Sequence, residues 1–248
     1  EVTITRGFIP LENIQRNVLQ DNIAYLGIGE FTERTLDEVQ ESLIELEKVM
    51  HSSESESGPG RKPSRFSKKT KAIVLDLRGN RGGTLEAALD VASLFLPSGT
   101  VLFQMAIPGK SKMQKHWSTN KRADISTPIL VLTDRRTGSA SEVLTAALQD
   151  NHRATTVGRV TTGKDIAQAV LTLTDGSGIA LTVRSYKTPS GASMNEGVRP
   201  DYDTEYTDLH LSHLRWVETD QGTDGYWLLR KPDVTVNSPR FQRKTCVH

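Results

Sequence analysis

Two short apolar runs, each followed by a turn with glycine and an amphipathic helix pattern, constrain the fold of this chain most. The runs are residues 72–77 and 129–133. Both have the length of a strand, and their lack of polar alternation is typical of strands that are buried on both faces. Helices cover the parallel sheets in which such strands occur. The order strand, helix, strand, helix and then further strands predicts an α/β fold with a mixed, partly parallel sheet.

Hydrophobic periodicity places the other elements along the chain. Strand patterns occur at 23–29, 101–105 and 154–160, and helical spacing occurs at 35–50, 85–96 and 140–149. Two alternating segments, 168–174 and 178–185, flank Asp175-Gly176-Ser177, which predicts a hairpin. We expect a surface loop at 110–122 and a mobile insertion at 51–71, which is rich in Ser, Gly, Pro and Lys.

Composition excludes several function classes. The 248 residues carry a net charge of +1, which gives no electrostatic case for a nucleic-acid partner. Cys246 is the only cysteine, and the histidines and acids show no metal-ligand spacing, so we expect neither a disulfide framework nor a metal site. No run of 18 apolar residues is present, so we expect no transmembrane helix.

The glycine-containing turn after the first apolar run is a candidate anion site. It reads Asp76-Leu-Arg-Gly-Asn-Arg-Gly-Gly83 and joins a buried strand to the start of a helix. Backbone N–H groups at such a place point at negative charge, which suits a phosphate or a developing oxyanion. The segment is neither a Walker loop nor a full GxGxxG. The alternative is a tight turn that needs glycine for a positive φ.

Ser139 and Lys164 are candidates for a nucleophile and its base. Ser139 stands at the mouth of a helix, where it could also form a capping box with Glu142. Lys164 follows a glycine and would have to be neutral to accept a proton, which burial or a nearby positive charge favours. A solvated loop lysine is the alternative. Gln168 could hold the lysine in place.

His152 and Asp150 leave a Ser-His-Asp triad with Ser139 as another interpretation. His152 follows the predicted end of a helix, however, where a histidine usually serves the helix dipole or faces solvent. The position of His152 therefore favours the dipole or solvent role over the triad.

Five motifs follow one another along the chain: Asp76–Gly83, Ser139-Ala-Ser-Glu142, Gly163-Lys-Asp-Ile-Ala-Gln168, Tyr186-Lys-Thr-Pro-Ser-Gly191 and Gly197-Val-Arg-Pro-Asp201. In kind and order they resemble the motifs of the carboxyl-terminal processing proteases, also called tail-specific proteases or peptidase family S41. The resemblance covers roughly residues 20–202. Within the family, residues 174–183 look closest to the branch that trims the photosystem II D1 precursor.

The resemblance implies a serine endopeptidase with a Ser-Lys dyad and a crotonase-like (ClpP/crotonase-type) α/β core. It implies Ser139 as nucleophile, Lys164 as general base and Gln168 as the partner of the lysine, with the N–H groups of Gly83 and Ala140 forming the oxyanion hole. No metal and no small-molecule cofactor are implied. The implied partner is a protein substrate with an extended C-terminal tail, through which the enzyme would associate peripherally with a membrane. The implied location is the thylakoid lumen or, alternatively, the bacterial periplasm.

Members of this family normally carry a PDZ domain before the core. We therefore expect residues 1–20 to be a linker and strand that follow a missing PDZ domain, 21–202 to be the catalytic core, and 203–248 to be a C-terminal extension. Three residues depart from the family's usual pattern: Arg81, Thr162 and Asp165. Asp165 would tend to hold Lys164 charged if its carboxylate turned toward the amine.

Two other functions remain open. One is a weakly active or inactive relative that binds peptide tails by adding a strand to a sheet edge. The other is a crotonase-like acyl-CoA enzyme that uses the glycine turn as an oxyanion hole without a nucleophile, although no adenine or pantetheine signature is recognisable in the sequence.

Overall fold

The computed structural model describes residues 13–52, 70–106, 109 and 113–203, and the backbone of four strands between residues 214 and 242. The expected mobile insertion at 51–71 lies outside the described residues, apart from its two ends. In chain order the elements are β1 (Ile14–Leu19), β2 (Ile23–Ile28), α1 (Thr35–Ser52), β3 (Ala72–Asp76), α2 (Leu85–Ser93), β4 (Val101–Ala106), β5 (Gln114–Trp117), β6 (Ile129–Thr133), α3 (Ala140–Asp150), β7 (Ala154–Gly158), β8 (Ile166–Thr172), β9 (Gly178–Lys187), β10 (Tyr202–Asp203), β11 (Leu214–Glu218), β12 (Asp224–Arg230), β13 (Thr235–Asn237) and β14 (Phe241–Gln242).

The main sheet has six strands in the order β1-β2-β3-β6-β7-β10. β1 is antiparallel to β2, and every other neighbouring pair is parallel. Helix α1 connects β2 to β3, and α3 connects β6 to β7, because parallel neighbours need a crossover connection. The predicted mixed, partly parallel sheet is confirmed, and the two apolar runs are adjacent strands with Leu75 opposite Val131.

The central strands are apolar throughout because both of their faces are covered. Leu75 belongs to the large buried cluster that includes Val91 of α2 and Leu144 of α3. Val74 and Leu130 belong to a second buried cluster on the opposite face of the sheet. Successive residues of a strand point to opposite faces, so a strand that is buried on both sides shows no polar alternation.

The helices follow the predicted periodicity. In α1 the buried side chains recur every three or four residues, at Val39, Leu43, Leu46 and Met50. Helix α2 ends before Pro97, which cannot continue a helix. Of the helices in the described ranges, none combines the length and apolar character needed to cross a membrane.

A second, antiparallel sheet has the order β5-β4-β9-β8 and contains the predicted hairpin as β8 and β9. The expectation that 110–122 is only a surface loop is wrong, because this segment contains β5. His116 of β5 stacks on Phe103 of β4 with ring centroids 4.3 Å apart. A cross-strand contact, rather than an apolar period, therefore stabilises β5. Strands β11 to β14 form a separate small sheet in the C-terminal region.

Candidate active site

Two loops meet at the carboxyl ends of β3 and β6. We call residues 77–83, which follow β3, the glycine loop, and residues 134–139, which follow β6, the serine loop. Gly138 N–H donates to the Asn80 carbonyl oxygen at 3.0 Å, and Gly79 N–H donates to Asp134 Oδ1 at 3.0 Å. The loops lie side by side because parallel neighbouring strands end at the same edge of a sheet.

Gly82 brings the glycine loop directly against Ser139. Its φ of 110° lies in a region that residues with a side chain rarely adopt. A Cβ atom at Gly82 would lie 2.8 Å from Ser139 Cβ and 2.8 Å from the Gly138 carbonyl oxygen. The positive φ that the sequence predicts for this loop is therefore present, together with a close approach to the serine.

Ser139 occupies a strained backbone conformation at the N-cap of α3. Its φ of 56° and ψ of −119° are unusual for any residue other than glycine. Such conformations cost about 1–3 kcal/mol, and they cluster at active sites. A serine in a tight strand-to-helix turn with this kind of strain presents its hydroxyl at the sheet edge, as in nucleophile elbows.

The capping box between Ser139 and Glu142 is asymmetric. The Glu142 carboxylate accepts the Ser139 N–H at 2.8 Å. The Glu142 N–H donates to the Ser139 carbonyl oxygen at 2.9 Å, and the Ser139 side chain makes no cap hydrogen bond. The cap therefore uses the backbone of Ser139 and the side chain of Glu142, and the Ser139 hydroxyl takes no part in a cap hydrogen bond.

Glu142 also holds the turn that carries Lys164. Its side chain is fully buried and accepts four hydrogen bonds. Oε1 accepts from Thr161 Oγ1 (2.5 Å) and Gly163 N–H (2.6 Å), and Oε2 accepts from Lys164 N–H (2.9 Å) as well as from Ser139. From the sequence, Glu142 is expected only to cap the helix together with Ser139. The capping-box pattern identified the residue but not its contact with the lysine turn, which comes from a later segment.

A cavity of about 360 Å³ lies at the mouth of α3. All five residues that the resemblance singles out line it, together with Leu85, Ile166, Ala167, Val170 and Tyr186. The N–H groups of Gly83 and Ala140 donate to no residue in the described part of the chain. Gly83 pairs with Phe31 in a parallel bridge, which fixes the backbone of the glycine loop beside the cavity.

Lys164 and Gln168 line this cavity together with Ser139 and Ala140, and both are exposed. A lysine that acts as a base is expected to be buried, but Lys164 is exposed because it lies on the turn between β7 and β8. The Asp165 carboxylate accepts a hydrogen bond from Ser193 Oγ at 3.1 Å rather than one from the Lys164 amine. In the described ranges no ion pair joins Asp165 to Lys164.

His152 and Asp150 lie at the far end of α3 from Ser139. The eleven residues of α3 span about 16 Å at 1.5 Å each. His152 is exposed and has a left-handed φ of 53°, and its N–H donates to the Gln149 carbonyl oxygen as a helix C-terminal cap. The Asp150 carboxylate accepts the Ser190 N–H at 2.9 Å. The triad interpretation therefore lacks the geometry it needs.

The described residues contain no cluster of three or more His, Cys, Asp or Glu side chains that could hold a metal ion. The polar groups of the residues that line this cavity include the hydroxyls of Ser139 and Tyr186, the Lys164 amine, the Gln168 amide and two backbone N–H groups.

Known proteins resemble the chain over most of its length. The family model described as peptidase family S41 matches residues 22–204. The carboxyl-terminal-processing protease of Synechocystis sp. is 35% identical over 207 residues, which are 81% of this chain and 43% of that protein. The chloroplastic carboxyl-terminal-processing peptidase 1 of Arabidopsis thaliana is 39% identical over 132 residues, or 52% of this chain and 27% of that protein.

A solved structure of a photosystem II D1 C-terminal processing protease superposes with a TM-score of 0.65 at 29% identity, covering 84% of this chain and 53% of that one. This likeness confirms the expected crotonase-like α/β core. The chain spans about half the length of these relatives, or less: 43% of the Synechocystis protease, 27% of the Arabidopsis peptidase and 53% of the solved structure.

Proposed function

Since this chain belongs to peptidase family S41, we propose that it is a serine endopeptidase that cleaves protein substrates near their C-terminus through a Ser-Lys dyad. The observation that carries the proposal is the strained backbone of Ser139, which points the serine into a cavity that Lys164 also lines. Strain of this kind persists only where the surrounding structure over-determines it, and here the Glu142 carboxylate and the close approach of Gly82 do so.

The reaction follows from the places of these groups. Ser139 Oγ attacks the scissile carbonyl carbon, and its proton passes to the neutral amine of Lys164. The N–H groups of Gly83 and Ala140, which have no partner among the described residues, donate to the oxyanion that forms. The Lys164 ammonium then gives the proton to the leaving amine. Water, activated by the same amine, hydrolyses the acyl-enzyme and restores Ser139.

An extended substrate is the natural occupant of the cavity. β8 is an edge strand of the second sheet and contributes Gln168 and Val170, and Val170 is 75% exposed. A peptide that adds a strand along β8 would cover Val170 and exclude water from Lys164. Removing water from an amine favours its neutral form, which is the form that can act as a base. Substrate binding would thus supply the burial that the free site lacks.

We further propose that residues 21–202 carry the catalytic core, that residues 1–20 follow a PDZ domain, and that 203–248 are an extension. The relatives include a cyanobacterial protease and a chloroplastic peptidase, and these names support a thylakoid lumen as the location, with the periplasm as the bacterial equivalent.

The test compares Ser139→Ala and Lys164→Arg with His152→Ala as the matched control. A peptide that carries a C-terminal tail is incubated with each variant, and the products are identified by mass spectrometry. We expect Ser139→Ala to lose at least about ten-thousandfold in turnover while its circular dichroism stays unchanged. Lys164→Arg should be inactive because arginine does not deprotonate. His152→Ala should match the unsubstituted chain.

A serine-reactive fluorophosphonate separates the alternatives. The proposed enzyme forms an adduct on Ser139, and Ser139→Ala does not. Tight binding of the tail without cleavage or adduct would identify a peptide-binding module instead. Binding of coenzyme A without cleavage of the tail would favour an acyl-CoA enzyme. Undiminished cleavage by Ser139→Ala would refute the dyad.

A further inference from the structure

A second cavity, of about 440 Å³, lies at the carboxyl edge of the main sheet and shares no lining residue with the Ser139 cavity. Residues at or just after the ends of β2, β3, β6 and β7 line it. Ligands of open parallel sheets bind at this edge, beyond the carboxyl ends of the strands. Its charged side chains are three arginines and two aspartates: Arg78, Arg136, Arg159, Asp76 and Asp134.

The two aspartates are occupied by internal hydrogen bonds. Asp76 accepts Arg78 Nη2 at 2.6 Å and Nε at 2.9 Å, and it also accepts the Tyr25 hydroxyl at 3.0 Å. Burial, reinforced by the charge of Asp76, raises the pKa of Tyr25 to about 12, so the hydroxyl stays protonated and remains a donor. The negative charge of Asp76 is therefore matched within this group.

Asp134 is used to shape the serine loop. Its Oδ1 accepts the N–H groups of Gly79, Arg136 and Thr137 at 2.9–3.0 Å. Burial raises the pKa of Asp134, but these hydrogen bonds outweigh burial and leave the pKa below its usual value. The carboxylate thus stays ionised as an acceptor for the backbone.

Hydrogen bonds hold the backbones of Arg136 and Arg159 but do not use their guanidinium donors, and the Arg136 side chain is 68% exposed. The Arg159 backbone is fixed to Thr133 by two hydrogen bonds of 3.0 and 2.9 Å. The closest carboxylates are Asp134 for Arg136, at 3.7 Å, and Asp203 for Arg159, at 3.6 Å. Both distances exceed those of an N–H···O hydrogen bond. Within the described ranges, the contacts of the two guanidiniums with carboxylates are these two ion pairs, and neither is short enough to be a hydrogen bond.

We propose that this cavity binds a small oxyanion, either a carboxylate or a phosphate. Asp76 holds Arg78 at hydrogen-bond distance, whereas Arg136 and Arg159 reach a carboxylate only at 3.7 and 3.6 Å, so a bound anion can still approach their positive charges. The guanidiniums of Arg136 and Arg159 carry planar forks of donors, which match the oxygens of carboxylates and phosphates. The proposal does not depend on the role of Ser139, since neither arginine lines the Ser139 cavity.

Isothermal titration calorimetry tests this inference, with the Ser139→Ala chain as the parent so that proteolysis cannot intervene. Inorganic phosphate at low ionic strength is the probe. We expect Arg136→Ala and Arg159→Ala each to weaken phosphate binding by about tenfold or more. The control is Arg135→Ala, which removes the same charge from the same loop but does not line the cavity. It should bind within about twofold of the parent, with affinity falling as salt rises.

A peptide pair identifies the source of the anion. If a peptide with a free C-terminal carboxylate binds more tightly than its C-terminally amidated form, and Arg136→Ala removes the difference, the ligand is a polypeptide terminus. If phosphate binds and the peptides do not differ, the ligand is a free anion. Absence of binding by phosphate and by both peptides up to about 10 mM would overturn the proposal. An equal loss of binding in Arg135→Ala and Arg136→Ala would also overturn it, because binding would then reflect general surface charge.

Discussion

Replacing Glu142 by glutamine disturbs the contact that joins the Ser139 turn to the Lys164 turn while changing little in size. Each carboxylate oxygen of Glu142 accepts two hydrogen bonds, and the pair on Oε2 comes from Ser139 and Lys164. Glutamine offers one carbonyl oxygen and one NH2 group, and the NH2 group cannot accept. In either orientation of the amide, two of the four donors lose their acceptor.

The size of the effect follows from this count. A hydrogen bond to a charged acceptor contributes about 1.5–3 kcal/mol, so two lost bonds lower the free energy of unfolding by about 3–6 kcal/mol. For a chain of this length, 1 kcal/mol corresponds to about 2–4 °C in Tm. The expected fall in Tm is therefore about 6–24 °C. Displacement of Ser139 relative to Lys164 by about 1 Å should lower kcat by about hundredfold.

Stability is measured by thermal unfolding in the Ser139→Ala background, and turnover is measured with Ser139 intact. The control is Glu86→Gln, the same substitution at an exposed glutamate in the first turn of α2. It should lose the favourable interaction with the helix dipole, about 0.3–1 kcal/mol, and this loss is partly offset because the repulsion between Glu86 and Asp90 is removed.

A Tm of Glu142→Gln within about 2 °C of its parent, together with undiminished turnover, would refute the reasoning. The four hydrogen bonds would then contribute neither to stability nor to the placing of the two turns. A lower Tm with unchanged kcat would limit Glu142 to a structural role.

Three further predictions concern Gly82, His152 and Asp134. Gly82→Ala should lower turnover by about hundredfold or more, because its Cβ would lie 2.8 Å from Ser139 Cβ. The control is Gly79→Ala, which is also at positive φ but 3.7 Å from its nearest neighbour, and which should cost only about 1–2 kcal/mol of stability. Equal activities of the two variants would contradict this prediction. His152→Gly should raise stability by about 1 kcal/mol without changing turnover, since glycine adopts the left-handed cap more readily; loss of cleavage would revive the triad. Because the pKa of Asp134 is lowered in the folded state, its carboxylate stabilises the fold at pH values above the unfolded-state pKa of about 3.9. This stabilisation is lost as the pH falls through the folded-state pKa. The stability of Asp134→Asn should therefore depend less on pH in that acid range.

Some features of the fold depend only on residues that are neighbours in the sequence, and the two apolar runs are the clearest examples. Residues 72–77 and 129–133 predict buried parallel strands because a strand that is covered on both faces leaves a local mark in its composition. The same holds for the hairpin around Asp175-Gly176-Ser177 and for the positive φ of the glycine loop. Each of these depends on neighbours in the sequence. By contrast, β5 has no apolar period, and it forms because His116 meets a partner strand.

The sequence by itself determined the fold class, the family motifs and the residues that are candidates for catalysis. Only the tertiary structure decided how those residues meet: that Glu142 contacts the turn of Lys164, that Asp165 turns to Ser193, and that His152 faces away from Ser139. The second cavity is of the same kind, because its arginines follow β3, β6 and β7. The order of strands in a sheet brings such residues to one edge, and that order is a property of long-range packing that no local stretch of sequence contains.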